Sequence, residues 1–183
     1  MGLIELLLLA VSLAMDAFAV AVCGSMVLKP AKRSRGALRF GIWFGVFQAA
    51  MPLLGYLGAC YLQSYVADYD HLVAFALLAY LGIEMIKEAD EECTMKECYT
   101  VKEMFFLAMA TSIDALAVGI SLAFLNVGIC YAALIIGLVT FLIATLGGLV
   151  GFRLGAAAGK YANICGGFVL IGIGLKILLE RIL

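Results

Sequence analysis

Ser12-Leu-Ala-Met-Asp16-Ala-Phe-Ala-Val20 and Ala110-Thr-Ser-Ile-Asp114-Ala-Leu-Ala-Val118 decide how this chain is read. In each, one acid is set among small and apolar residues. The surrounding apolar runs, about 3–28 and 103–125, exceed the roughly 20 residues needed to cross a bilayer. A carboxylate in the middle of such a run is roughly 17–20 Å of helix from either end and cannot snorkel to water. Insertion there costs about 2.5–3.5 kcal/mol per Asp, so the pair costs on the order of 5–7 kcal/mol. A chain that bears this twice, at matching places, is expected to use the acids. The competing reading makes them protonated groups that only bond neighbouring helices.

Composition agrees with a lipid solvent. Of the 183 residues, 66% are hydrophobic and 14% charged, too few charges to cover a soluble domain of this size. A net charge of −1 gives no footprint for a nucleic-acid partner. Beyond the two quoted runs lie four more, at about 38–62, 71–87, 129–152 and 161–180, and the third is the shortest. Lipid supplies no partner for backbone polar groups, so all six are expected to be helices. The N-terminal run has no basic segment before it and outlasts a signal peptide, so it reads as a retained span.

Orientation follows from Lys and Arg. Lys29, Lys32, Arg33, Arg35 and Arg39 cluster around the first loop, Lys87, Lys96 and Lys102 around the third, and Arg153 and Lys160 around the fifth. Only Lys176 and Arg181 lie toward the other side, which puts both termini outside a bacterial cytoplasmic membrane.

The chain also resembles itself. Met15-Asp16-Ala-Phe-Ala-Val20 corresponds to Ile113-Asp114-Ala-Leu-Ala-Val118, Pro52–Gly58 to Thr145–Gly151, and Leu81-Gly82-Ile83 to Ile173-Gly174-Leu175. Three spans per half make the second half enter from the opposite face, and inverted repeats place substrate sites near the midplane. The expected fold is therefore all-α, a single transmembrane domain of six helices in two inverted three-helix repeats. Repeat one covers about 1–87, repeat two about 103–183, and a cytoplasmic loop covers 88–102. Ala10, Ala14, Ala17, Ala21 and Gly24, with Ala108, Ser112, Ala115 and Gly119, form small-residue seams. These predict that the first and fourth spans pack against each other.

Around the acids stand candidate metal ligands. Ser12 is one turn before Asp16, and Thr111 and Ser121 flank Asp114. Gln48 lies four residues before Pro52, which removes the helical partner of the Gln48 carbonyl and leaves two oxygens of that residue for use. Thr140 is its approximate counterpart in the fifth span. Glu84 and Lys176 read as interfacial anchors, and His71 as a boundary residue. The loop with Cys93 and Cys98 lacks zinc-ligand spacing, and the six cysteines read as incidental thiols. Oxygen ligands suit hard or borderline cations such as manganese, magnesium or calcium, and the absence of a His cluster disfavours zinc and copper. No nucleophile–base pair marks an enzyme.

Ser12–Ala19, Phe44–Pro52, Ala110–Gly119 and Gly166–Gly174 resemble the MntP-type manganese efflux pumps of bacteria, among the LysE-like exporters, over essentially the whole chain. The resemblance implies secondary export of Mn2+ across the cytoplasmic membrane, with Asp16 and Asp114 needed for transport and no resident cofactor. Some members of that family carry Glu where this chain has Gln48. Another cation or small solute, or a structural or sporulation-associated membrane role, stays open as an alternative. The partners implied are the divalent ion and the lipid bilayer, with room for a homo-oligomer.

Overall fold

In the computed structural model, residues 2–28, 32–66, 70–88, 100–125, 128–154 and 156–182 are described. All secondary structure among them is helical: α1 (Leu3–Val27), α2 (Arg33–Val66), α3 (Asp70–Glu88), α4 (Val101–Ala110), α5 (Ile113–Phe124), α6 (Ile129–Leu154) and α7 (Ala156–Ile182). Helices result because apolar runs with few competing polar side chains must satisfy their own backbone.

Four segments are long and apolar enough to cross a membrane: Leu3–Met26, Arg33–Ala59, Ile129–Gly151 and Ala157–Leu179. α4 and α5 make a fifth when taken as one broken span, bent by 42°. The apolar part of α3 is shorter, Ala74–Glu84. Large hydrophobic side chains such as Ile4, Val46, Leu134 and Phe168 point outward from the bundle, as expected of lipid-facing surfaces. The chain is a multi-pass, all-helical membrane protein.

Close glycine contacts fix the helix directions. Gly147 of α6 packs on Phe18 of α1 and Gly151 packs on Val22, so α1 and α6 run parallel. Gly45 faces Gly137 and Phe141, while Gly41 faces Thr145, so α2 runs antiparallel to α6. Gln48 bonds Thr111 and Gly55 abuts Leu116, so α5 runs with α2 and against α1. Gly82 of α3 and Gly167 of α7 cross so closely that a Cβ on either would lie 2.5 Å from the other's carbonyl oxygen.

Several expectations change. The fourth span is not one helix: Thr111 and Ser112 interrupt it. The first and fourth spans do not pack along each other. The α1 stripe lies mainly against α6 and α7, with Phe40, Phe44 and Met104 filling the space toward α4. The small residues admit other helices and these rings rather than their own counterparts. Lys176, read as an interfacial anchor, pairs its ammonium with Glu5, which brings the start of α1 beside the end of α7. Cys23 is disulfide-bonded rather than a free thiol, while Cys130 and Cys165 are free and exposed. The stretch 89–99, with Cys93, Cys98 and most of the acidic loop, lies outside the described residues.

Candidate metal centre

Gln48 organises the middle of the bundle. It is 0% exposed, and its side-chain nitrogen donates to the Leu13 carbonyl of α1 at 3.3 Å and to the Thr111 carbonyl at 3.1 Å. Both acceptors sit three residues before an aspartate. One amide thus ties the Asp16 strand of the bundle to the Asp114 strand, and its own oxygen Oε1 is buried with no hydrogen-bond partner.

The break before Asp114 has a local cause. Thr111 turns its hydroxyl back onto the Leu107 and Ala108 carbonyls, a bond that competes with helix continuation. Ser112 occupies the N-cap of α5, though its hydroxyl caps nothing and is buried with no hydrogen-bond partner. Asp114 does part of that work: its Oδ1 accepts from the Ala115 N–H at 2.8 Å. The N–H that would ordinarily close onto Thr111 is therefore turned to a carboxylate, and Gln48 bonds the released carbonyl. At the corresponding place in α1 stand Leu13 and Ala14, strong helix formers, and α1 runs through unbroken.

Asp114, 9% exposed, consequently lies in the first turn of a helix. The positive end of the helix dipole favours an anion there by about 0.3–1 kcal/mol, and up to ~2 kcal/mol when partly buried. Asp16 lies in mid-helix without that help. Its Oδ1 and the Oδ2 of Asp114 are both buried atoms. Because α1 and α5 are antiparallel, three residues beyond Leu13 and three beyond Thr111 lead to opposite sides of the Gln48 layer. The two aspartates are therefore staggered by roughly 9 Å along the bundle before the bend is counted.

Of the remaining candidates, Ser12 is buried with its hydroxyl donated to the Leu8 carbonyl at 2.9 Å, and Ser121 does the same to Ala117 at 3.1 Å. Thr111 enters through its carbonyl rather than its hydroxyl. Thr140 of α6 is fully buried and its Oγ1 has no hydrogen-bond partner. It is two turns before Gly147 on the face toward α1, which brings it abreast of residues 11–12.

Sequence reasoning gave no role of its own to Ser112 and missed Asn163. Ser112 was signalled by the Thr-Ser-x-Asp order, which starts helices as readily as it fits inside one. Asn163 was signalled by its place in an otherwise apolar stripe of α7. No group of three or more His, Cys, Asp or Glu that could hold a metal occurs among the described residues.

Carboxylate and neutral oxygens thus lie buried inside the apolar helical bundle of a multi-pass membrane protein. The family model described as "Putative manganese efflux pump" matches residues 31–178. Relatives bearing the name "Putative manganese efflux pump MntP" include one from Acetivibrio thermocellus, 44% identical over all of this chain and 93% of the relative. One from Desulfitobacterium hafniense is 45% identical over all of this chain and 97% of the relative. One from Methanosarcina acetivorans is 45% identical over 96% of this chain and 95% of the relative. The chain belongs to this efflux-pump family, which is one of transporters and not of enzymes. No solved structure matches it significantly.

Proposed function

We propose that the protein exports Mn2+ from the cytoplasm across the cell membrane, with Asp16 and Asp114 holding the ion in turn on either side of the Gln48 layer. The observation that carries this reading is one buried amide, Gln48, bonded to the carbonyls three residues before each aspartate, with Asp16 Oδ1 and Asp114 Oδ2 both buried. Gln48 Oε1, Ser112 Oγ and Thr140 Oγ1 offer further neutral oxygens close to that layer. An all-oxygen set, one carboxylate with neutral oxygens at each position, suits a hard or borderline cation such as manganese, and the relatives' names point to the same ion.

The transport cycle is best carried by six spans in two inverted repeats. Its support is a reciprocal contact pattern. Gly55 abuts the Leu116 carbonyl as Gly147 abuts that of Phe18. Gly45 faces Gly137 reciprocally, and Gly82 faces Gly167, each flanked by the partner helix's isoleucine, Ile171 or Ile86. The third pair aligns Gly82 with Gly167, two turns away from the Gly174 match read in sequence. An even number of spans agrees with the Glu5–Lys176 pair joining the two chain ends. The basic residues of the first, third and fifth loops support an orientation with both termini outside. Such halves, rocking about a central layer, expose one aspartate to each side in turn.

The deciding experiment replaces each aspartate by asparagine, which keeps size and hydrogen bonding but removes charge. Mn2+ efflux from loaded vesicles, normalised to folded protein, should collapse in Asp16→Asn and in Asp114→Asn while both proteins insert as well as wild type. Full activity in both variants would sink the ion-holding role. A loss explained by loss of protein would leave the acids as structural bonds, worth roughly 0.6–2 kcal/mol.

A further inference from the structure

We infer that Asn163 of α7 supplies a neutral oxygen ligand to the cation held at Asp16, an inference that rests on the ion-holding role proposed above. α1 and α7 lie antiparallel: Glu5 pairs with Lys176 near one end, and Gly159 packs against the Ala19 backbone, 3.1 Å from a built Cβ, near the other. One turn back from Ala19 on the same face of α1 is Asp16. One turn on from Gly159 on the same face of α7 is Asn163. In an antiparallel pair those two steps meet, so Asn163 stands opposite Asp16.

Its surroundings make it an exception. From Gly159 to Ile177 the buried residues of α7 are Gly, Leu and Ile apart from Asn163. Asn163 is the one polar side chain among them. It is 7% exposed, and its Oδ1 is buried with no hydrogen-bond partner. A buried amide oxygen left unsatisfied is unfavourable, and a divalent cation at Asp16 removes that penalty. The two halves then furnish their aspartates differently. Asp114 has the unpartnered Ser112 hydroxyl two residues before it. In α1 the matching position to Ser112 is Ala14, and Asn163 on α7 makes good the missing oxygen. The ligand class is a hard or borderline divalent cation that accepts mixed carboxylate and amide coordination.

The test measures Mn2+ binding directly, by loss of the free-ion electron paramagnetic resonance signal on titrating purified protein in lipid nanodiscs. The variants are Asn163→Ala, Asn163→Asp and Asp16→Asn, with thermal melting recorded for each. Asn163→Ala should weaken Mn2+ binding about tenfold or more with an unchanged or higher melting temperature. Asn163→Asp, which restores an oxygen and adds a charge, should bind at least as tightly as wild type. Wild-type affinity in Asn163→Ala beside lost binding in Asp16→Asn would overturn this inference and leave the export reading standing. Unchanged binding in Asp16→Asn as well would overturn the export mechanism itself. If Asn163→Ala and Asn163→Asp both fail to fold, or both lower the melting temperature without changing affinity, Asn163 is a structural bond and the inference is wrong.

Discussion

At the scale of single residues, the centre of this bundle turns on one amide. Gln48 gives its nitrogen to two carbonyls and keeps its oxygen buried with no hydrogen-bond partner, so it ties the aspartate-bearing elements together and leaves the oxygen that the export proposal uses as a ligand. Hydrogen bonds inside membranes average ~0.6 kcal/mol each, so Gln48→Ala removes only about 1.2 kcal/mol of tying. The variant should melt slightly lower and still transport. Its half-saturating Mn2+ concentration should rise several-fold, because a ligand oxygen and the register are lost together. Wild-type behaviour across a range of metal concentrations would reduce Gln48 to a companion of the Pro52 kink. The aspartates and Gln48 were legible in the sequence because polar groups at mid-span are expensive and therefore conspicuous. Asn163 was not, because an asparagine near the start of an apolar run reads as an interfacial residue until the antiparallel partner is known.

At the scale of elements, the instructive one is the fourth span. Its composition reads as one helix over 103–125, and hydropathy cannot tell a broken span from a continuous one. What breaks it is side-chain chemistry at Thr111 and Ser112, against Leu13 and Ala14 in the matching segment of α1. The consequence is electrostatic, since Asp114 gains a helix N-terminus that Asp16 lacks. Healing the break with Thr111→Leu should remove a positive end that also repels a cation, worth about 0.3–2 kcal/mol, and so tighten the hold on Mn2+ roughly two- to thirty-fold. The substituted protein should become no less stable, as Leu favours helix. Mn2+ titration and thermal melting of the same preparation check this. Unchanged affinity would mean that the break serves packing alone. The same element explains a mistaken expectation. The small-residue seams of the first and fourth spans were legible, but not their partners, because small residues mark close approach without naming the helix that approaches.

For the whole molecule, the reciprocal contacts make a demand that a mere bundle would not. Gly82 and Gly167 occupy one crossing, each blocking a Cβ on the other, so the α3–α7 interface is a single close approach shared by the two halves. The order of the proposed repeat was legible in sequence from the Asp motifs. Its register in the third helix was not, because glycines recur along α7 at Gly166, Gly167, Gly172 and Gly174, and only packing selects Gly167. If the crossing is shared, Gly82→Ala and Gly167→Ala each force α3 and α7 apart, at the roughly 1–3 kcal/mol typical of overpacking. The first methyl opens the gap that the second would need, so the double variant should lose clearly less than the sum of the singles. Unfolding in mixed micelles, read for wild type, both singles and the double, measures the coupling. Separate sites add to within about 0.3–0.5 kcal/mol, and that result would mean the two glycines lie in independent contacts. The near-equality of the two single effects is the second half of the test. An axis relating the halves gives both glycines the same surroundings, an isoleucine and a glycine carbonyl, so markedly unequal losses would count against the two-fold relation even if the coupling were found.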